Sequence, residues 1–445
     1  MTSFGSIART GLSVLRSMPL ILIMIASARA QEPFNIVLIM ADDLGYGDIS
    51  PYGGWVDTPN LQRMAEEGIR FTDFHSSGTV CSPTRAGLLT GRYQQRTGIT
   101  GVVVADSTDG RHQHGLQDAE ITLPELLKRA GYKTALIGKW HLGYYPKYNP
   151  TQHGFDHFTG FVSGNIDYFS HIDQVGAYDW WHGGERVNEP GYTTKLITKH
   201  AVSAIRSNLE SPFFLYIAHE APHYPYQSPD DKPERTIDGE FDVYSADGNV
   251  RRTYKDMVEE LDASVGEVLR VLTETGLAER TLVLFFSDNG ANEEGSNAPL
   301  RGHKNTEWEG GHRVPLIAWS PGNIRPGRVS NQLAITLDLM PTVLDLAQVS
   351  VDSQHRLDGI SLLSLLFSDI ELGKRKLFWN GVAMRDGVRK LILSEDRAML
   401  FDLDSDIEER NDISALWPEE VDRMMSELSA WRHDVEQGAT PQPHD

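Results

Sequence analysis

Residues 34–41 have the sequence FNIVLIMA, a short and almost continuously apolar run that ends at the acid pair Asp42-Asp43. A run of this length without a polar face is typical of a strand that is buried on both sides. Three similar runs follow along the chain, at 133–138, 213–218 and 282–287. Segments with helical spacing of apolar residues separate them. We therefore predict a large, mostly parallel sheet covered by helices on both faces, which is an α/β sandwich.

The intervening helices are indicated by apolar spacing and by start signals. Between residues 254 and 272, apolar side chains recur every three or four positions, which predicts a long amphipathic helix. Residues 61–67 and 123–130 are predicted as shorter helices, and the second is entered through Thr122 with Pro124 near its start. Residues 69–74 are predicted as a further strand.

The pattern changes near residue 370. Short strands are predicted at 377–384, 388–393 and 398–403, with Asp386-Gly387 as a hairpin turn, and a closing helix at 424–431. We expect an α/β domain over residues 31–370 and a small antiparallel C-terminal subdomain with one helix over residues 371–445.

Residues 1–30 differ in character from the rest of the chain. They hold three arginines and no acid, with an apolar run at 18–28 and the end Ala28-Arg29-Ala30. This combination is typical of a secretory signal peptide, and the apolar run is shorter than the roughly 20 residues that span a bilayer. We predict an exported protein, periplasmic or extracellular, with no transmembrane segment after residues 1–30 are removed.

Composition excludes several kinds of protein. The 445 residues carry a formal net charge of −21, with 41 Lys and Arg against 62 Asp and Glu, and only one Cys. A single Cys excludes an internal disulfide framework and a cysteine-based zinc site. The acidic balance disfavours nucleic acid as a partner, because phosphate backbones are bound by an excess of Lys and Arg. It suits a hard cation such as calcium, which prefers carboxylate oxygens.

Chemically active side chains follow the ends of the predicted strands. Ligands of parallel α/β sheets bind outside these carboxyl ends, so we expect the following residues to share one cleft: Asp42, Asp43, Cys81, Arg85, Lys139, His141, His219, His223, Asp288 and Asn289. The acid pair could instead cap a helix, and Asp288-Asn289-Gly290 could be an ordinary turn. Four oxygen-bearing side chains without a clear His set favour calcium or magnesium over zinc.

The lone Cys81 has three interpretations: a buried structural thiol, a cysteine nucleophile, or the precursor of a modified residue. Pro83 is compatible with the first turn of a helix over residues 86–90, so Cys81 would lie near a helix N-terminus. The N–H groups of such a terminus attract anions, and Arg85 adds positive charge. An anion site is an unusual environment for a structural thiol.

One motif is misleading. Residues 219–223, His-Glu-Ala-Pro-His, match the letters of the zinc-protease motif H-E-x-x-H. That chemistry requires both histidines on one face of a helix, and Pro222 and Pro225 oppose a regular helix here. We therefore predict no zinc-protease site at this segment.

The motifs together resemble the type I sulfatase family. Cys81-Ser82-Pro83-Thr84-Arg85 followed by the segment 86–92 is similar to the family signature C-x-P-x-R with L-L-T-G-R. Further matching blocks are 41–48 (ADDLGYGD), 138–143 (GKWHLG), 287–290 (SDNG), Lys304 before Glu309-Gly310-Gly311, and 400–403 (LFDL) with 409–411 (ERN). The resemblance extends along nearly all of the chain after residue 30 and implies an alkaline-phosphatase-like fold.

This resemblance implies specific roles. Cys81 would be oxidised to formylglycine by a formylglycine-generating or equivalent maturation enzyme. Calcium would be bound by Asp42, Asp43, Asp288, Asn289 and the modified residue 81. Arg85 and Lys139 would hold the aldehyde hydrate, while Lys139 and Lys304 would grip the sulfate oxygens. His223 would protonate the leaving alcohol, and His141 would take the proton that expels sulfate. His219 matches less clearly and is left outside the catalytic set.

The substrate class is indicated by an aromatic segment and by the family. Eleven of the 38 residues at 144–181 are aromatic, against 9% of the chain. They suggest a stacking platform for sugars, although a second hydrophobic cluster is an equal alternative. His171 is the best candidate in this segment for contacting sugar hydroxyls. Exported bacterial members of the family commonly act on sulfated polysaccharides or glycosaminoglycan fragments, so we expect a sulfated carbohydrate.

Two other functions compete with this hypothesis. A phosphate or phosphonate ester hydrolase of the alkaline-phosphatase superfamily has a related fold, but it would be expected to have a Ser or Thr nucleophile and a His-rich zinc pair. A non-catalytic glycan-binding homologue would be expected to have lost an acid, Lys or His from the set above, and none is missing.

Overall fold

The computed structural model describes residues 1–5, 33–237, 239, 241, 249–352, 355–394 and 397–443. The predicted signal peptide therefore lies almost entirely outside the described residues. Residues from Pro33 onward belong to one compact unit, so the domain boundary near residue 370 stays a prediction. Within the described ranges, every helix is too short or too polar to cross a membrane.

A mixed sheet of ten strands forms the centre of the molecule. The strands of the described residues are β1 (Asn35–Ala41), β2 (Ile69–Phe71), β3 (Phe74–His75), β4 (Lys133–Lys139), β5 (His157–Phe161), β6 (Trp181–His182), β7 (Glu185–Arg186), β8 (Phe213–Ala218), β9 (Thr281–Ser287), β10 (Leu316–Trp319), β11 (Arg328–Ser330), β12 (Ala334–Ile335), β13 (Lys376–Trp379), β14 (Ala383–Asp386), β15 (Arg389–Ser394) and β16 (Arg397–Asp402). The order across the large sheet is β11-β2-β10-β9-β1-β8-β4-β5-β6-β7. β1 is parallel to β8 and β9, and Val37 pairs with Leu215 and Val283. β3 and β12 form a separate two-stranded sheet.

Helices cover both faces of this sheet. The helices of the described residues are α1 (Pro59–Glu67), α2 (Cys81–Thr90), α3 (Gln94–Thr97), α4 (Leu123–Arg129), α5 (Thr193–Ser207), α6 (Val250–Glu274), α7 (Glu309–His312), α8 (Leu339–Leu346), α9 (Leu363–Ser368) and α10 (Pro418–Glu436), of which α10 packs on the C-terminal sheet instead. Side chains of β1 alternate between two hydrophobic clusters, one with α2, α4, α8 and α9 and the other with α1, α5 and α6. This confirms the predicted α/β sandwich, because β1 is buried on both faces.

Local sequence explains where the helices begin. The Thr122 side chain accepts a hydrogen bond from the backbone N–H of Glu125, and the Glu125 carboxylate accepts one from the backbone N–H of Thr122. These two bonds form a capping box at the start of α4. Asn249 caps α6 by accepting from the Arg252 backbone N–H. Both helices were predicted, and α6 extends beyond the predicted 254–272 at each end.

The C-terminal part is an antiparallel sheet of β13, β14, β15 and β16 with α10, which confirms the predicted antiparallel sheet and its closing helix. The prediction of one strand over 377–384 is wrong, because two strands and a turn occupy that range. Asn380 and Gly381 have φ angles of 48° and 70°, and Trp379 pairs with Ala383 across them. Asn-Gly favours a tight hairpin turn, a signal that the strand prediction overlooked.

Candidate active site

The central strands bring their chemically active ends together. β9, β1, β8 and β4 are neighbours in the sheet, and they end at Ser287, Ala41, Ala218 and Lys139. Asp288 and Asp42 therefore begin adjacent loops, and the Asp288 backbone N–H donates to the Ala41 carbonyl over 3.1 Å. The expected cleft at the carboxyl edge of the sheet is present.

Three carboxylates converge at this edge. Asp42, Asp43 and Asp288 each place one oxygen within 4.8 Å of the others, and all three side chains are buried. Oδ1 of Asp42 and Oδ1 of Asn289 are also buried, and neither has a hydrogen-bond partner among the described residues. Buried oxygens without donors are costly unless they bind a cation. The donor set is all oxygen, so it fits calcium or magnesium.

The buried carboxylates repel one another, and a cation would offset this repulsion. Burial raises the pKa of Asp288 to about 7, and the charge of Asp42 acts in the same direction. Burial also raises the pKa of Asp42, but Lys139, His223 and Arg85 outweigh it and hold that pKa well below its usual range. Asp288 is therefore the acid of the cluster whose charge most needs a compensating cation.

Three buried or nearly buried cations surround the carboxylates. Arg85 donates from Nη2 to Asp288 over 2.9 Å and to Asp42 over 3.4 Å, and from Nη1 to the Lys139 carbonyl. Lys139 Nζ forms an ion pair with Oδ2 of Asp42. Lys304 Nζ lies 2.7 Å from Oδ1 of Asp43. The site thus combines an anionic cluster with a cationic wall.

Cys81 begins α2 beside this cluster. Its sulfur, a carboxylate oxygen of Asp42 and a ring nitrogen of His223 lie within 4.8 Å of one another. The side chain is 2% exposed, and burial raises the pKa of the thiol although Lys139 and Lys304 lower it. A raised pKa disfavours the thiolate, so the structure gives little support to the cysteine-nucleophile interpretation.

Two histidines complete the site with defined tautomers. His141 Nε2 lies 2.9 Å from the Val103 carbonyl, and His223 Nδ1 lies 2.7 Å from the Tyr224 carbonyl. Carbonyl oxygens only accept, so these nitrogens carry the protons of the neutral rings. Burial lowers the pKa of His223 to about 4 and that of His141 well below 6.5. The unprotonated nitrogens are Nδ1 of His141 and Nε2 of His223, and the latter faces Asp43 Oδ2 at 3.7 Å.

The remaining predicted residues lie outside this cluster. His219 is fully buried with Nε2 3.1 Å from the Ser264 hydroxyl. Residues 219–223 are not helical, so they lack the helix that a zinc-protease site requires. His171 is 1% exposed, stacks on Trp180 and contacts the Gly191 carbonyl through Nε2. Its contact with a sugar stays a prediction that this burial does not favour.

The aromatic segment contributes mostly to the protein core. Six of its eleven rings are buried: Tyr148, Phe155, Phe158, Phe161, Tyr168 and Trp180. Only Tyr145 is exposed, at 42%. The hydrophobic-cluster alternative therefore accounts for most of the segment.

A cleft of about 560 Å³ lies next to the carboxylate cluster, because Lys304 and Asn292, which line it, both contact Asp43. Val80, which precedes Cys81, Tyr224, which follows His223, and Lys304 line it. Its outer lining is polar and aromatic, and comprises Tyr226, Asn292, Glu293, Glu294, His303 and Asn305 together with Val102 and Val250. The cleft has room for a sugar-sized group.

Comparison with known proteins agrees with this geometry. The sulfatase family profile matches residues 34–349. This chain belongs to the sulfatase family. N-acetylgalactosamine-6-sulfatase of Mus musculus is 37% identical over 378 residues, which cover 80% of this chain and 70% of the relative. Arylsulfatase A of Homo sapiens is 36% identical over 395 residues, which cover 81% and 73%. The sulfatase is therefore a sulfuric ester hydrolase.

Solved structures share the whole architecture. The crystal structure of Ps i-CgsB in complex with k-i-k-neocarrahexaose matches with a TM-score of 0.82 and 28% identity over 93% of this chain and 96% of that one. The α/β sandwich is thus that of the alkaline-phosphatase-like sulfatases. The phosphonate monoester hydrolase of Agrobacterium radiobacter matches with a TM-score of 0.67 at 20% identity, and this likeness extends to the fold alone.

Several residues of the sulfatase site were not predicted from the sequence. Asn292 donates to Asp43 Oδ2 over 2.7 Å, and the Tyr254 hydroxyl donates to the Asp43 carbonyl over 3.2 Å. Asn292 follows Asp288-Asn289 closely, so its position in that loop was an available signal. Tyr254 was indistinguishable from the other apolar-face residues of α6. No sequence signal marks the Val103 carbonyl as the partner of His141.

Proposed function

We propose that this sulfatase removes sulfate from a sulfated carbohydrate, using a formylglycine formed from Cys81 and a bound calcium ion. The observation that carries the proposal is the convergence of Cys81 with Asp42 and His223, beside the three-carboxylate cluster. A thiol with a raised pKa, next to oxygens suited to a hard cation, is poorly suited to act as a thiolate nucleophile. Oxidation of Cys81 to an aldehyde would give residue 81 a hydrate whose hydroxyl can act as the nucleophile.

The proposed cofactors would be held by the carboxylate cluster and by residue 81. Asp42, Asp43, Asp288, Asn289 and residue 81 would bind calcium. Together the aldehyde hydrate and calcium would supply a nucleophilic hydroxyl and an electrophilic centre for the sulfate group. Lys139 and Lys304 carry the positive charge that binds sulfate oxygens, and Arg85 fixes the acids from behind.

The two histidines divide the proton transfers. His141 holds a free lone pair on Nδ1, because Nε2 donates to Val103, so it serves as the base. His223 presents Nε2 toward the cluster and is neutral near pH 7 in the substrate-free protein. The negative charge of a bound sulfate ester acts to raise the pKa of His223 and opposes the calcium ion, which acts to lower it; Nε2 is the atom that would hold the proton that the leaving alcohol needs.

A carbohydrate substrate is supported by the relatives and by the cleft. One relative is named an N-acetylgalactosamine-6-sulfatase, and a structural neighbour was solved with neocarrahexaose. The cleft offers the rings of Tyr224 and Tyr226, with hydrogen-bonding groups at Asn292, His303 and Asn305. Aromatic faces with a few polar groups are typical of sugar sites.

Export and maturation complete the proposal. We infer that residues 1–30 direct the chain to the periplasm or the extracellular space, and that a maturation enzyme oxidises Cys81. N-terminal sequencing of the protein from the culture or periplasmic fraction tests the first step, with a start near Gln31 expected. A protein that retains residues 1–30 in the cytoplasm contradicts it.

The decisive experiment combines peptide mass with substrate choice. The peptide that contains residue 81 is expected to show the mass of an aldehyde in place of a thiol. The same preparation should release sulfate from N-acetylgalactosamine 6-sulfate or another defined sulfated sugar, and Cys81→Ala should abolish release. A purely thiol-bearing protein with full activity, or a preference for matched phosphate esters, would overturn the proposal.

A further inference from the structure

A second group of metal-ligating side chains lies at the edge of the large sheet, separate from the active site. One ligand atom each of His182 in β6, Glu189 in the loop after β7, and His200 in α5 lies within 4.8 Å of the others. Nε2 of His200 lies 2.8 Å from Glu189 Oε2, and Nε2 of His182 lies 3.2 Å from the same oxygen. Two imidazoles and one carboxylate therefore converge on one point from three different segments.

These spacings are close to those of a tetrahedral metal site. With bonds of about 2.0–2.2 Å, a tetrahedral zinc ion separates its ligand atoms by roughly 3.4 Å. To admit the ion between the rings and the carboxylate, the His200 nitrogen–oxygen distance of 2.8 Å must lengthen by about 0.6 Å and the His182 distance of 3.2 Å by about 0.2 Å. The ring centroids of His182 and His200 are 5.3 Å apart, and the two ring planes are inclined to each other by 75°. The rings therefore approach the shared oxygen from different directions, as separate ligands must.

The surroundings of Glu189 suit a metal ligand. Lys199 Nζ donates to Oε1 over 2.7 Å, and this contact leaves Oε2 as the oxygen directed at both histidines. The Trp180 ring nitrogen also donates to Oε2, over 3.2 Å. Outer hydrogen bonds of this kind orient a ligating carboxylate.

The site is accessible from solvent. The side chain of His182 is 41% exposed, whereas those of His200 and Glu189 are 19% and 14% exposed. An ion can enter without any movement of the core, and water can complete its coordination.

We propose that His182, Glu189 and His200 bind one divalent transition-metal ion of the zinc class. Imidazole ligands select zinc, copper or nickel over calcium, so this ion differs in kind from the one proposed for the carboxylate cluster. The ion joins the β6–β7 hairpin, which ends the sheet, to α5 on its face. Its role is to stabilise this edge of the fold.

Zinc titration of the calcium-saturated protein tests the proposal. Calcium occupies the catalytic carboxylates, so added zinc chloride reports on the remaining sites. Wild type is expected to bind one equivalent at micromolar zinc, with a rise in Tm. H182A and H200A should each weaken binding by at least about tenfold, since even an outer partner of a ligand is worth this much. Cobalt in place of zinc should give the visible absorption of a tetrahedral site in wild type only.

A matched control variant distinguishes this site from the catalytic centre. His157→Ala changes an exposed histidine on the neighbouring β5 strand that is not part of the group, and it should bind zinc as wild type does. Sulfatase activity of H182A should equal that of wild type, which shows that the variant is folded. The proposal is overturned if zinc binds H182A and H200A as tightly as it binds wild type. It is also overturned if zinc inhibits the sulfatase activity of wild type, H182A and H200A equally, because both results place the ion in the catalytic centre. Failure of wild type to bind zinc below millimolar concentration also overturns it.

Discussion

The Nε2 atom of His141 lies 2.9 Å from the carbonyl oxygen of Val103, a residue 38 positions earlier in the chain. This contact fixes the tautomer of the imidazole, because the carbonyl can only accept the Nε2 proton. Nδ1 is then the basic atom, and it is buried without a hydrogen-bond partner among the described residues. The proposed base is thus oriented by a loop that carries no recognisable motif.

The pH dependence of catalysis follows from this environment. Burial, Lys139 and Arg85 lower the pKa of His141 well below 6.5, and a bound calcium ion acts in the same direction. A base with a lowered pKa stays unprotonated as the pH falls through 6.5. We expect the acid limb of kcat to lie clearly below pH 6.5, as measured with saturating substrate and calcium, because His141 acts after the alcohol has left. An acid limb at or above pH 6.5 that disappears in His141→Gln would contradict the assignment.

Replacement of Cys81 by Ser is expected to stop the reaction after one turnover. A serine hydroxyl can accept the sulfate group, but it lacks the second hydroxyl from which His141 would remove a proton. Rapid-quench measurement of the released alcohol should show a burst of at most one equivalent, and intact mass should reveal a retained sulfate. Cys81→Ala is the matched control, with no burst. Repeated turnover by Cys81→Ser at the wild-type rate refutes the mechanism.

Asp288→Asn should weaken calcium binding by at least about tenfold. Burial and the charge of Asp42 raise the pKa of Asp288, and a neutral amide of the same shape removes the negative charge that a cation would compensate. A bound ligand at 100 times its Kd stabilises a protein by about 2.7 kcal/mol, so wild type should gain Tm with calcium and the variant should gain less. Isothermal titration gives the affinity. Asp156→Asn, at a partly exposed acid paired with Lys128, is the control and should bind calcium normally.

His219 should make folding stability sensitive to acid. Burial lowers its pKa to about 3 in the folded state, against 6.5 when the chain is unfolded. The unfolded chain therefore takes up a proton first, and stability falls as the pH drops from 6.5 toward 3. Between pH 7 and 5 this single group costs about 2 kcal/mol, at roughly 1.4 kcal/mol per pH unit.

Urea unfolding of His219→Gln at both pH values measures this contribution. The variant should lose about 2 kcal/mol less than wild type on acidification. His433→Gln, at a histidine in the last turn of α10, should keep the wild-type difference. Equal pH dependence in wild type and His219→Gln would show that His219 is not the titrating group.

Local sequence predicted most of the fold. Continuous apolar runs can be buried only on both faces of a sheet, so β1, β4, β8 and β9 were recognisable without tertiary information. The capping signal at Thr122 and the helical spacing of apolar residues at 254–272 likewise depend only on residues within a single segment. The prediction of a single strand at 377–384 was wrong. Two short strands joined by an Asn-Gly turn are apolar on average, so the segment resembles one strand.

The sequence by itself determined which residue types end the central strands and that the chain is a sulfatase, since these features reside in short contiguous motifs. Only the tertiary structure decided the partners of those residues. In the structure Lys304 contacts Asp43, the Val103 carbonyl contacts His141, and Asn292 contacts the carboxylate cluster. His171 and most of the aromatic segment are buried in the core. The physical reason is that burial and hydrogen bonding depend on contacts between segments far apart in the chain, which no local pattern encodes.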